Sequence, residues 1–211
     1  MSKPVSGLYA VTPELADSAA LLGKVAAALR GGASVIQYRN KSVEESLCRA
    51  QAGGIARLCR IWNALFIVND SVGLAREIDA DGVHLGKDDG DIVAARAMLG
   101  PGKLIGVSCY NEIGRARAAV SQGADYVAFG SFFSSATKPE ALRAGLELLQ
   151  VAASEIALPV VAIGGITEDN AAGLIAAGAD AVAVVRSLVD AIDVEAQARR
   201  FARLFQTPVN S

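Results

Sequence analysis

Short apolar runs recur along the chain, each followed by polar or glycine-containing residues and then by a longer stretch with apolar positions at helical spacing. The runs Leu8–Val11, Ser34–Tyr38, Leu65–Val68, Gly82–Leu85, Leu104–Val107, Tyr126–Phe129, Val160–Ile163 and Ala181–Val184 predict strands. The stretches Ser18–Arg30, Val43–Trp62, Val72–Ile78, Ile92–Leu99, Glu112–Gln122, Pro139–Ile156, Asp169–Ala177 and Val194–Phe205 predict helices. The approach to a strand repeats nearly verbatim, as Gly32-Ala-Ser-Val, Asp79-Ala-Asp-Gly-Val, Gly123-Ala-Asp-Tyr-Val and Gly178-Ala-Asp-Ala-Val. Gly32, Gly123 and Gly178 stand where a helix ends in a left-handed residue.

This alternation predicts an α/β fold, a (β/α)8 TIM barrel. The strands are apolar on both faces, as buried parallel strands are. A doubly wound sheet is the alternative, and the number and length of the strands disfavour it. No linker or low-complexity segment divides residues 1–211. One barrel domain is expected, with a tail that frays from about Gln206.

In such barrels chemistry sits at the C-terminal ends of the strands. Polar residues gather at those ends: Gln37, Arg39 and Lys41; Asn69 and Asp70; Asp89; Ser108, Cys109, Tyr110 and Asn111; Gly164, Gly165 and Thr167; Val185, Arg186 and Ser187. The segment Gly130–Pro139 adds Ser134, Ser135, Thr137 and Lys138 ahead of a proline able to start a helix. Hydroxyls, one cation and a helix start favour an oxyanion.

Each feature has a bland reading beside the functional one. Gln37, Arg39 and Lys41 alternate at period two and could be a solvated strand end; at a catalytic rim, three long donors fit a polyanion. Asn69–Asp70 could cap the helix at Val72, and Asp89 could cap the helix near Asp91. Together, Asp70 and Asp89 fall on adjacent loops and could share one Mg²⁺ with phosphate oxygens. His84, the only histidine, is read equally as a satisfied interior residue or a catalytic one. Ser108 and Cys109 have no histidine beside them in sequence, so a nucleophile–base pair is not expected. Gly164-Gly165-Ile-Thr167, with Val185 and Arg186 after the last strand, suggests a phosphate cradle.

Composition narrows the classes. Lys+Arg 20 against Asp+Glu 22 gives a net charge of -2, which argues against nucleic acid as a partner. Hydrophobic residues make up 52%, yet no apolar run reaches the roughly 18 residues of a membrane span. Three cysteines fit a reduced compartment, and with no apolar leader after Met1 the expected location is cytoplasmic. Cys48 and Cys59 share a helix face and are expected to pack in the core. A homo-oligomer is compatible with the sequence, which does not fix the oligomeric state.

On these residues the chain resembles the bacterial thiamine-phosphate synthases, from Gly7 to about Ala191. The resemblance rests on Gln37-x-Arg39-x-Lys41, Val68-Asn-Asp70, Asp81-Gly-Val-His-Leu-Gly86 with Asp89, Gly106-Val-Ser108, the Gly130–Pro139 loop and Gly164-Gly-Ile-Thr167. It implies a transferase of thiamine biosynthesis. Such an enzyme joins 4-amino-2-methyl-5-(diphosphooxymethyl)pyrimidine to thiazole phosphate and releases thiamine phosphate and pyrophosphate. It implies that Gln37, Arg39, Lys41, Asn69, Ser108 and Lys138 hold the pyrimidine diphosphate. Arg39, Lys41, Ser108 and Lys138 would assist catalysis, and Asp70 and Asp89 would hold Mg²⁺. Ser135, Thr137, Gly165, Val185 and Arg186 would hold the thiazole phosphate. The chain departs from the pattern at Ser135, often Thr or Pro, at Arg186, a Ser in some members, and at Lys87, often Gln. The alternatives are a thiazole tautomerase-like paralogue, a non-catalytic phosphate-binding barrel, and a barrel isomerase or aldolase; the last would want a base within a strand.

Overall fold

The computed structural model describes residues 4–87, 90–134 and 144–206. Strands β1 (Gly7–Val11), β2 (Val35–Tyr38), β3 (Leu65–Asn69), β4 (Gly82–Leu85), β5 (Leu104–Tyr110), β6 (Tyr126–Phe129), β7 (Val160–Ile163) and β8 (Ala181–Val184) close into a barrel in chain order. Every neighbouring pair is parallel, including β1 with β8. Helices α1 (Ser18–Arg30), α2 (Glu45–Trp62), α3 (Val72–Glu77), α4 (Ile92–Leu99), α5 (Ile113–Ser121), α6 (Leu146–Glu155), α7 (Glu168–Ala176), α8 (Arg186–Val189) and α9 (Val194–Arg203) intervene. The expected (β/α)8 barrel is therefore the fold. Among the described residues no helix is long and apolar enough to cross a membrane.

Alternation along each strand sorts the side chains into two apolar layers. Tyr9, Val11, Val35, Leu65, Ile67, Leu104, Tyr126, Ala128, Val161, Ala181 and Ala183 fill the barrel interior. Their neighbours in sequence, among them Leu8, Ile36, Phe66, Val83, Ile105, Val127 and Val182, face the helices. By this parity Gln37, Asn69, His84 and Ser108 stand inside, toward the C-terminal end.

The repeated strand approach has a physical reason. Asp81 accepts from Phe66 N–H at 2.7 Å, Asp125 from Ile105 N–H at 2.7 Å, and Asp180 from Val160 N–H at 2.8 Å. Each carboxylate thus pins the start of the preceding strand, at the rim opposite the C-terminal ends of the strands. Gly32, Gly123 and Gly178 carry φ of +101°, +89° and +108°, the left-handed geometry expected there.

Some boundaries differ from expectation. The helix expected over Pro139–Ile156 starts at Leu146, after Gly145 in an extended conformation; residues 135–143 lie outside the described part. Strand β5 runs on to Tyr110, with its register shifting between Ser108 and Tyr110, so Ser108 lies within the strand. Arg186 opens the short helix α8, which the sequence pattern does not predict, because four residues give no period to read.

Candidate active site

One of the competing readings disappears at a cap. Ser71 Oγ accepts from Leu74 N–H and caps α3, leaving Asn69 and Asp70 free of that duty. Asp91 caps α4 through Ala94 N–H at 2.8 Å. Asp70 takes φ +64°, a left-handed conformation that Asp tolerates, just past the end of β3. Its carboxylate meets Lys41 Nζ at 2.7 Å, so residues from two different loops converge. Arg39 pairs with Glu14, from the loop after β1. Glu14 was not singled out from the sequence, where it carries no motif.

Gln37 departs from the expected run of three donors facing one way. Strand β2 ends at Tyr38, so only Gln37 keeps the interior parity. It is 6% exposed and spends an amide N–H on Tyr9 Oη at 2.9 Å. Its amide oxygen and second amide N–H are what it can offer a ligand.

Ser108 has no histidine beside it in sequence, but the fold brings one to it. His84 Nε2 lies 2.9 Å from Ser108 Oγ. Register explains it: His84 pairs with Gly106, and Ser108, two residues on, shares its face. This is no activated nucleophile of the serine–histidine–carboxylate kind, because His84 Nδ1 meets the Tyr126 hydroxyl at 3.0 Å and not a carboxylate. His84 is an interior residue, 8% exposed, with both ring nitrogens bonded. Cys109 points to the helix layer, fully buried, and burial pushes its thiol up to about 12. It stays protonated near neutral pH. Cys59 packs in the core as expected, whereas Cys48 is only half-buried.

On the far side, the loop after β7 is tightly tied. Asn170 accepts from Thr167 N–H at 2.9 Å and donates to Gly165 O at 3.2 Å. Phe133 N–H donates to Gly164 O at 3.0 Å, which lays the loop after β6 on the loop after β7. Gly165 has φ +65°, and a Cβ there would stand 2.5 Å from Ser134 O, so the approach requires glycine. Ser187 Oγ donates to Ile166 O and joins the loops after β7 and β8. Val185 and Arg186 follow β8, with Arg186 exposed at the start of α8. Ser187 and Asn170 brace the cradle through contacts between residues that no local sequence pattern marks.

Asp89, Ser135, Thr137 and Lys138 lie outside the described residues. Among the described residues no group of three His, Cys, Asp or Glu side chains is placed to hold a metal ion. Asp70 presents a carboxylate just past the end of β3, a hard oxygen donor of the type that Mg²⁺ takes.

Residues 8–188 match the profile of the family described as thiamine monophosphate synthase. The chain belongs to that family. It is 57% identical over 202 residues to a thiamine-phosphate synthase of Methylobacillus flagellatus, covering 96% of both chains. It is 54% identical to one of Chromobacterium violaceum, covering 97% of this chain and 99% of the relative. The structure overlays on thiamine phosphate pyrophosphorylase from Pyrococcus furiosus with a TM-score of 0.85 and 35% identity, over 95% of each chain. The resemblance carried by the rim residues thus extends over the whole barrel. The activity is that of a thiamine-phosphate synthase, a transferase acting on small-molecule substrates.

Proposed function

We propose that this barrel makes thiamine phosphate by a dissociative displacement, with Gln37, Arg39, Lys41, Asn69, Ser108 and Lys138 on the pyrimidine diphosphate. Ser135, Thr137, Gly165, Val185 and Arg186 hold the thiazole phosphate. The observation that carries this reading is the 2.7 Å contact of Lys41 with Asp70. A cation assigned to the diphosphate and a carboxylate assigned to the metal, from separate loops, share one spot on the rim. Asp70 and Asp89 are the carboxylates that would hold Mg²⁺. When bound, that ion supplies positive charge against the diphosphate oxygens.

The C–O bond between the pyrimidine methylene and the diphosphate breaks, and its electron pair leaves with pyrophosphate. The aminopyrimidine ring stabilises the resulting cation. The thiazole nitrogen lone pair then forms the C–N bond. No proton transfer to or from a protein base is needed, which suits a site whose one histidine has both ring nitrogens bonded inside the barrel. Arg39, Lys41 and Lys138 counter the charge that grows on the departing diphosphate. The braced cradle after β7 and β8 holds the second substrate in line, which removes much of the entropic barrier to capture.

The test is direct. Purified protein incubated with both substrates and Mg²⁺ should yield thiamine phosphate and pyrophosphate in equal amounts. Chelation should stop the reaction and Mg²⁺ restore it. Undiminished turnover in excess chelator would reject the metal assignment, and no thiamine phosphate under any condition would reject the reading.

A further inference from the structure

A chain of hydrogen bonds crosses the barrel interior beneath the rim. Gln37 Nε2 donates to Tyr9 Oη at 2.9 Å, and the Tyr9 and Tyr126 hydroxyls are 2.9 Å apart. Tyr126 Oη lies 3.0 Å from His84 Nδ1, and His84 Nε2 lies 2.9 Å from Ser108 Oγ. The members come from β2, β1, β6, β4 and β5 in turn. The two ends are residues assigned above to the pyrimidine diphosphate, whereas Tyr9, Tyr126 and His84 have no role in the reaction as derived.

The packing is built around this chain. Tyr9 and Tyr126 are 1% and 0% exposed. A Cβ on Gly106 would stand 1.9 Å from the Tyr126 ring, so glycine at that position lets the ring cross the barrel. Burial holds both phenols well above their ordinary range, so each keeps its one proton.

Counting those protons fixes a direction. The Gln37 amide nitrogen can only donate, so the Tyr9 oxygen accepts and its proton goes to Tyr126. The Tyr126 proton then goes to His84 Nδ1. His84 therefore carries its proton on Nε2 and donates it to Ser108. The Ser108 proton is left over for a ligand, as is the Gln37 amide oxygen. We propose that Tyr9, Tyr126 and His84 are positioning residues that fix Ser108 as a hydrogen-bond donor and Gln37 as an acceptor toward the pyrimidine. This rests on the assignment of Gln37 and Ser108 to that substrate. An aminopyrimidine offers the complement, an amino donor and ring-nitrogen acceptors. A chain running the other way would spend the Ser108 proton on His84 and mismatch the ligand, and a polar mismatch in a dry site is costly.

The single histidine makes the direction observable. Untagged protein labelled with ¹⁵N-histidine gives one pair of ring-nitrogen signals, and these should report the Nε2–H tautomer. Gln37→Glu, at pH 8, puts a carboxylate that can only accept beside Tyr9. The direction should then reverse along the chain and move the proton to Nδ1, three hydrogen bonds away. An Nδ1–H tautomer in the unsubstituted protein, or the same tautomer in both, would overturn the proposal. Tyr126→Phe keeps the ring and breaks the chain. It should raise the pyrimidine diphosphate KM roughly three- to tenfold while the thiazole phosphate KM holds. No change, or equal changes in both, would overturn the positioning role. The tautomer measurement needs no turnover. The expected tautomers with a rise only in the thiazole phosphate KM would overturn the assignment of Gln37 and Ser108 and leave the direction of the chain standing.

Discussion

At the scale of single residues, two of the three cations assigned to the diphosphate are held by carboxylates. Arg39 pairs with Glu14 and Lys41 with Asp70. Both pairs are partly open to solvent, where an ion pair contributes at most about 1 kcal/mol. A diphosphate, with charge-assisted bonds of roughly 1.5–3 kcal/mol each, outcompetes them. If Glu14 is such a competitor, Glu14→Gln should lower the pyrimidine diphosphate KM by up to about fivefold, with kcat little changed. A higher KM would show that Glu14 instead holds Arg39 in its working position. Arg186 differs, because it is exposed beside the braced cradle. Loss of a charge-assisted contact in Arg186→Ala should raise the thiazole phosphate KM roughly ten- to a hundredfold, and the pyrimidine KM much less. If steady-state kinetics show the thiazole KM unmoved, only backbone groups at that position touch the phosphate.

At the scale of elements, the aspartates of the strand approach do work that their sequence repetition announced only in part. Asp180 accepts from Val160 N–H at the start of β7, and Asp81 and Asp125 repeat the contact on β3 and β5. Asp180→Ala would leave that N–H unpartnered at the base of the barrel, at a cost of roughly 1–3 kcal/mol. Urea unfolding should show the loss, while kcat/KM of the folded protein stays near normal because the site is at the opposite rim. Normal stability would mean that water replaces the carboxylate without penalty. The same elements show what a sequence can reveal. Strand and helix periods, with the glycine and aspartate punctuation, are local signals, and they placed Gly82–Leu85 and Ile92–Leu99 to the residue. Arg39, Lys41 and Asp70 were legible because polar residues after an apolar run mark one rim. The meeting of His84 with Ser108 was not, because it depends on the register between strands, and no local pattern encodes that. The Arg39–Glu14 pair was hidden for the same reason, since the two residues belong to different βα loops.

At the scale of the whole molecule, barrel closure divides the apolar side chains into an inner layer and a layer beneath the helices, and the second layer holds two thiols. Burial pushes both Cys59 and Cys109 up to about 12. In the unfolded chain a thiol titrates near 8.5. Below that value both states hold the proton, and stability does not depend on it. Between about 8.5 and 12 the unfolded chain releases a proton that the folded protein keeps, so stability must fall as pH rises. The slope is at most about 1.4 kcal/mol per pH unit for each thiol. Urea midpoints at pH 8, 9 and 10 should therefore decline progressively. The Cys59→Ala, Cys109→Ala double variant starts lower at pH 8, because it leaves small cavities, but its decline should be shallower. The comparison of slopes separates the thiols from Tyr9 and Tyr126, whose buried phenols are raised in the same direction but from a higher starting value. A midpoint that is level from pH 8 to 10 in the unsubstituted protein would mean that neither thiol is held as a neutral group by burial.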